Sequence, residues 1–256
     1  MKFTFLGTGT SQGVPLIGCR CKVCNSTDER DKRLRTSAMV EVDGVCFVID
    51  AGPDFRQQML REGVSNVDAI LLTHGHTDHI AGLDDVRAIN YKDYPLIRRV
   101  PIYAMAETAK AVRKVFYYAF ARNKYRGVPV YEMHTIENQP FETCGVEIIP
   151  IVGRHSRFEV TGYRIGKLAY LTDFKEIDDD EVSKLEGVEV LVVNALRFEP
   201  HDSHFSVDEA LSLIERIKPR QAYLTHMSHE VGLYEEISRK LPQGVNFAYD
   251  GLKFEL

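Results

Sequence analysis

Three imidazoles and a carboxylate are packed into residues 74–79, in the segment Thr73-His74-Gly75-His76-Thr77-Asp78-His79. The segment follows the apolar run Ala69-Ile70-Leu71-Leu72, so these groups are expected at the exit of a buried strand. Imidazole and carboxylate donors suit zinc, manganese or iron. A strand end is rigid enough to hold several ligands in fixed relative positions. Water on such a metal loses its proton near neutral pH and becomes a nucleophile, so the segment points to hydrolysis. For a single histidine, a hydrogen-bonded loop residue is the simpler reading. The pattern His-x-His-x-Asp-His argues against that reading here.

This cluster cannot close two metal sites alone. Three more donors stand just past apolar runs. His155 follows residues 146–152, Asp173 ends Leu171-Thr172-Asp173, and His226 ends Leu224-Thr225-His226. Each alone reads as a surface polar residue, whereas their repeated placement at strand exits reads as one shared site.

A second constellation is Cys19-Arg20-Cys21-Lys22-Val23-Cys24. The cysteine total is five, an odd number in a chain of 256 residues. The start, residues 1–6, reads as a strand rather than an export signal. Together these favour a metal site over disulfides. Cys46 lies in an apolar strand and Cys144 beside Gly145 at a turn, and both read as structural.

The elements that must position these groups are legible in outline. Strands are expected at residues 3–6, 38–42, 45–49, 69–72, 146–152, 162–165, 168–171, 188–193 and 222–224. Asp43-Gly44 and Gly166-Lys167 mark hairpins. A helix is expected at 55–61 after Pro53-Asp54, and another at 206–217. Ser206 and Glu209 form a capping box at the start of the second. Hairpins in both halves, interleaved with helices, predict a four-layer α/β/β/α sandwich in a single domain, 1–256. Residues 84–126 read as a helical insert. Its part 108–126 interleaves basic residues with Phe116, Tyr117, Tyr118, Phe120 and Tyr125. That stretch is either an amphipathic helix or a surface for a phosphorylated ligand or a partner.

Net charge is −5, with both signs mixed along the chain, which argues against a nucleic-acid partner. No apolar run approaches the ~20 residues of a membrane span. A cytoplasmic protein without membrane contact is expected.

The ordered set His74, His76, Asp78, His79, His155, Asp173 and His226 resembles the metallo-β-lactamase superfamily along nearly the whole chain. Four further stretches resemble its PhnP-type phosphoribosyl cyclic phosphodiesterases. They are Leu6-Gly7-Thr8-Gly9-Thr10-Ser11-x-Gly13-Val14-Pro15, the cysteine cluster, Asp50-Ala51-Gly52-Pro53-Asp54-Phe55-Arg56 and Gly82-Leu83-Asp84-Asp85-Val86-Arg87. The resemblance implies two divalent ions, zinc or manganese or iron. His74, His76 and His155 hold one, Asp78, His79 and His226 the other, and Asp173 bridges them. It also implies a structural zinc on Cys19, Cys21, Cys24 and His229. Three thiolates and an imidazole form a closed tetrahedral site that would pin the loop at about 7–35 to the chain around His226.

The implied chemistry is a metal-bridging hydroxide opening a small cyclic phosphate. Asp78 and His204 carry that chemistry, with His204 as general acid or phosphate binder and His201 as the weaker candidate. Asp50 is expected to orient a metal-bound imidazole from behind. Relatives imply a homodimer acting on a small phosphorylated substrate. The alternatives are a ribonuclease of the tRNA 3′-end type, a non-catalytic metal-binding accessory protein and, since fold does not fix substrate, a thioester hydrolase. All seven ligand positions are filled, which argues against the second.

Overall fold

Val45-Cys46-Phe47-Val48-Ile49 is β-branched and aromatic, the composition that suits a pleated, buried surface. In the computed structural model, which describes residues 1–256, it forms the centre of a seven-stranded sheet. That sheet contains β1 (Lys2–Gly7), β2 (Ser37–Val42), β3 (Val45–Ile49), β4 (Ala69–Leu71), β5 (Val100–Met105) and β6 (Tyr131–Ile136). The short strand Lys253–Glu255 lies on β1 at the other edge. β2 and β3 form a hairpin, while β3, β4, β5 and β6 run parallel. The hairpin turn takes positive φ at Asp43 and Gly44, 51° and 82°, the conformation that two-residue hairpins demand.

A second seven-stranded sheet contains β7 (Phe141–Thr143), β8 (Val146–His155), β9 (Phe158–Ile165), β10 (Leu168–Leu171), β11 (Val190–Asn194), β12 (Gln221–Thr225) and β13 (Val245–Phe247). β7 to β10 are an antiparallel meander, and β10 to β13 are parallel.

The chain forms two compact units, each around one sheet. Residues 1–6, 37–137 and 253–255 make the first; residues 7–36, 138–252 and 256 make the second. Each has its own apolar core. In the first, Val48, Ile70 and Ile102 pack with Phe55, Met59 and Leu83. In the second, Leu171, Val193 and Leu224 pack with Val207, Ala210 and Ile214 from the helix Val207–Ile217. Ser206 caps that helix reciprocally with Glu209.

Several boundaries differ from the sequence expectations. β8 runs to His155 because it pairs in full with β9, down to His155 opposite Phe158. His155 is therefore the last residue of a strand rather than a residue beyond one. The stretch 84–126 contains β5, a parallel strand between β4 and β6. Its alternation of buried and half-buried residues is masked by Pro101 at the second position. The helical stretch ends at Phe120, in two pieces, Ala106–Val115 and Tyr117–Phe120, broken where Phe116 leaves helical geometry at ψ 36°. Phe116 and Ala119 are buried, and Arg113 stacks 4.8 Å over the Phe120 ring. Tyr117 and Tyr125 face solvent.

Gly82 is fixed by close approach. A Cβ there would lie 2.0 Å from the Gly52 carbonyl oxygen and 2.6 Å from Phe55 Cβ. Gly82→Ala is expected to cost about 2 kcal/mol or more and to lower Tm by at least ~5 °C, read from thermal melts. An unchanged melt would show that the segment after the histidine motif shifts freely.

Candidate metal centres

In the first unit, β3 and β4 are parallel and Ile49 pairs with Leu71, so the residues leaving both strands emerge side by side. Asp50 leaves β3 fully buried, at φ 63°. Its carboxylate accepts from the Thr73 N–H at 2.8 Å and the Thr73 hydroxyl at 2.7 Å, and lies 2.6 Å from His79 Nδ1. An ionised carboxylate only accepts, so Nδ1 of His79 carries the proton and Nε2 keeps its lone pair. Burial pushes the Asp50 carboxyl up, while His79 and the Thr73 donors oppose the shift. His79 Nε2 lies 3.1 Å from Asp78 Oδ2, at the start of the short helix Thr77–Ile80. His74 Nε2 and His76 Nδ1 are 2.9 Å apart. Tetrahedral coordination at metal–nitrogen distances of about 2.0–2.1 Å needs nitrogens roughly 3.3–3.4 Å apart, so both rings can reach one ion after a shift of a few tenths of an ångström. This unit therefore presents His74, His76, Asp78 and His79 from one turn, with Asp50 and Thr73 behind them.

The second unit places its donors by the same logic. β8 and β10 run in one direction because β9 is antiparallel to both, and β11 and β12 continue parallel to β10. His155, Asp173 and His226 therefore all sit at carboxyl ends of strands, where parallel sheets collect ligand groups. Asp173 and His226 both take left-handed backbone, at φ 63° and 57°. Such conformations cost about 1–3 kcal/mol and cluster at functional sites.

Asp173 Oδ2 lies 3.1 Å from His226 Nδ1 and accepts from the Thr172 hydroxyl at 2.8 Å. Asp173 Oδ1 lies 3.1 Å from His204 Nε2. His155 Nδ1 donates to the Ser203 carbonyl at 2.8 Å, which leaves Nε2 with the lone pair. One donor atom each from His155, Asp173 and His204 lies within 4.8 Å of the others. His201 stands behind His204, with ring centroids 5.3 Å apart. Burial, with His204 and Arg197 nearby, holds its imidazole below the usual range.

Reading the sequence missed Thr73, Thr172 and Ser203. A signal for the two threonines was present. Leu72-Thr73-His74, Leu171-Thr172-Asp173 and Leu224-Thr225-His226 each place Leu-Thr before a histidine or aspartate, and all three threonines are buried. Ser203 had no comparable signal. Asp84 pairs with Arg87 and accepts from the Tyr118 hydroxyl, a structural role.

The second unit also gathers Cys19, Cys21, Cys24 and His229, whose four donor atoms lie within 4.8 Å of one another. Cys21 Sγ is 3.2 Å and Cys19 Sγ 3.6 Å from His229 Nδ1. Tetrahedral zinc, with Zn–S of about 2.3 Å and Zn–N of about 2.0–2.1 Å, needs donors roughly 3.5–3.8 Å apart; the Cys19 pair meets this, the Cys21 pair lies a few tenths of an ångström closer, and the donor types suit zinc. The Cys24 N–H and His229 bring the Cys21 thiol down to about 6, whereas burial pushes Cys24 up to about 11. The surrounding loop is tied to the chain beside His226. Thr10 N–H donates to the Met227 carbonyl and Met227 N–H to the Thr8 carbonyl. Asp250 accepts from Thr8 N–H, the Thr8 hydroxyl and Leu34 N–H.

Known proteins resemble this chain on both counts, sequence and fold. The beta-lactamase superfamily domain matches residues 46–227. An octanoyltransferase of Porphyromonas gingivalis is 38% identical over 256 residues, covering 99% of this chain and 51% of that protein. The chain thus spans about half the length of that curated relative. A diphosphatase from the PhnP family, known as a crystal structure, is 45% identical with a TM-score of 0.92, covering 100% of this chain and 97% of that one. The Zn²⁺-bound PqqB of Methylobacterium extorquens shares the fold, with a TM-score of 0.77 at 20% identity and full coverage of both chains. The α/β sandwich expected from the sequence is the fold of these relatives, and two mixed sheets flanked by helices are its components. A domain match over most of the sequence, and a full-length relative at 45% identity, have one meaning: the chain belongs to the metallo-β-lactamase superfamily and, within it, to the PhnP family.

Proposed function

We propose that the chain is a binuclear metal-dependent hydrolase of phosphoric esters, a phosphodiesterase that opens small cyclic phosphates. His74, His76 and His155 would hold one ion, Asp78, His79 and His226 the other, and Asp173 would serve both. Zinc, manganese and iron all suit these donors. When bound, the ions would supply Lewis acidity toward the phosphoryl oxygens and lower the pKa of a water molecule to about 7.

The chain's own groups do the rest. Asp50 and the Ser203 carbonyl fix the rings of His79 and His155 with Nε2 available for a ligand. His204 points Nε2 at Asp173 Oδ1, where a proton can be handed to the departing oxygen. The observation that carries the reading is the His204 imidazole, with Nε2 3.1 Å from the Asp173 carboxylate, in the position a proton donor would take. An alkoxide leaves phosphorus poorly unless it is protonated, so a phosphoryl hydrolase needs such a group. The PhnP-family relative supports phosphorus chemistry. Its description as a diphosphatase favours a second substrate class, a phosphoric anhydride.

The test is turnover of metal-loaded protein on cyclic phosphates, linear diesters, diphosphates, thioesters and RNA, with metal content measured on the same sample. Preference for cyclic phosphates supports the reading, and preference for diphosphates supports the second class. Salt-sensitive RNA cleavage, or zinc at the cysteine site alone with no turnover, overturns both.

Asp50→Asn keeps the shape of the side chain and removes its charge. Active-site metal affinity is expected to fall roughly 10–100-fold, measured by chelator competition. Unchanged affinity would remove the orienting role assigned to Asp50.

A further inference from the structure

Strand β10 stops at Leu171, which pairs with Val193 of β11. One residue further along β11, the side chain of Asn194 takes over the pairing. Its amide oxygen accepts from the Phe174 N–H at 2.8 Å, and its NH₂ donates to the Phe174 carbonyl at 2.9 Å. A carboxamide suits this task because it carries an acceptor and a donor on one group, whereas an ionised aspartate only accepts and leucine does neither. Asn194 and Phe174 are both fully buried. The Phe174 carbonyl also accepts from the Phe205 N–H at 2.8 Å. The Phe174 ring is held as well. It lies against Gly153 of β8, where a Cβ would come within 2.3 Å of it.

Two functional residues stand directly before the amides of this network. The N–H of Phe174 belongs to the peptide plane that leaves Asp173, and the N–H of Phe205 to the plane that leaves His204. A peptide plane is rigid, so pinning it fixes ψ of the residue before it. Asp173 holds left-handed backbone at φ 63°, a conformation that persists only where the surrounding structure over-determines it. The carboxylate that faces His226 and His204 is thus aimed from a plane that Asn194 grips.

We propose that Asn194 is a positioning residue for Asp173 and His204. It grips Phe174 directly and reaches His204 through the Phe174 carbonyl, which Phe205 shares. It acts through backbone and not on substrate. The consequence for metal binding rests on the metal-dependent reading; the ordering of the two peptide planes does not.

Asn194→Ala removes both side-chain bonds. In zinc-loaded protein, hydrogen exchange at the Phe174 and Phe205 amides is expected to quicken roughly 10–100-fold, the scale for a buried group that loses its partner, while amides of β12 keep their rates. Active-site metal affinity should fall roughly 10–100-fold by chelator competition, as when other groups that hold ligands from behind are lost. Zinc at the cysteine site should stay. Asn194→Ser leaves space that water can fill, and it carries the same expectations should the alanine variant fail to fold.

Leu213→Ala separates positioning from stability. It removes part of the same unit's apolar core, from the helix Val207–Ile217, and leaves all three hydrogen bonds in place. It should lower Tm, as core truncations do, yet keep active-site metal affinity within about twofold of the parent. Unchanged exchange at both phenylalanines, unchanged metal affinity, or an equal loss of affinity in Leu213→Ala overturns the proposal. A parent with zinc at the cysteine site alone overturns the metal-dependent reading instead. Exchange then decides whether Asn194 orders residues 173 and 204: faster exchange in its variants supports the role, and unchanged exchange overturns it.

Discussion

Asp173→Asn is expected to fold like the parent and to lose at least about 10³-fold in kcat/KM, some 4 kcal/mol of transition-state stabilisation. Asparagine is the right replacement because residue 173 sits at φ 63°, a left-handed conformation that asparagine tolerates and alanine resists. The substitution removes the anion that faces His226 through one oxygen and His204 through the other. In the proposed site, where Asp173 would serve both ions, an amide would neutralise neither and its NH₂ end would present hydrogens in place of a ligand oxygen. Metal content should drop at the active site while the cysteine site keeps its zinc. Steady-state kinetics, atomic spectrometry and a thermal melt on one sample check all three parts. Activity within tenfold of the parent at unchanged metal content would remove Asp173 from the chemistry.

Cys24→Ser should act mainly on stability. The four donors of the cysteine site come from the loop in residues 7–36 and from His229. A structural zinc contributes folding free energy directly, about 10–16 kcal/mol in peptides that have no other core. This unit has its own large apolar core, so a smaller share, roughly 3–5 kcal/mol, is expected here. That corresponds to a fall in Tm of about 10 °C or more for a chain of this length. Activity should fall with it, because Thr8 and Thr10 clamp Met227, the residue after His226. Cys46→Ser is the control. Cys46 lies on β3 in the other unit, and its loss should leave zinc content unchanged. Melting curves with and without chelator, paired with zinc analysis, decide the matter. A Cys24→Ser protein that melts like the parent would make the site dispensable.

The sequence by itself determined which residues can do chemistry and roughly where strands deliver them. Donor type and spacing are local, and so are the apolar runs, the Asp43-Gly44 turn and the Ser206 capping box. These features follow from side-chain chemistry and from preferences over a few residues. The α/β class followed from the same outline.

Tertiary structure decided what depends on groups distant in the chain. β5 was hidden in an apparent helical stretch because parallel pairing with β4 and β6, not local pattern, makes it a strand. β8 reached His155 only because β9 pairs with it to the end. Asp50, Asp173 and His226 are of types that tolerate left-handed backbone, but which aspartate or histidine adopts it is decided by the folded chain around it. Which nitrogen of each imidazole carries its hydrogen is likewise set by a partner, the Asp50 carboxylate for His79 and the Ser203 carbonyl for His155. A ring's two nitrogens are alike in a sequence, and only a neighbour's charge and direction make them different.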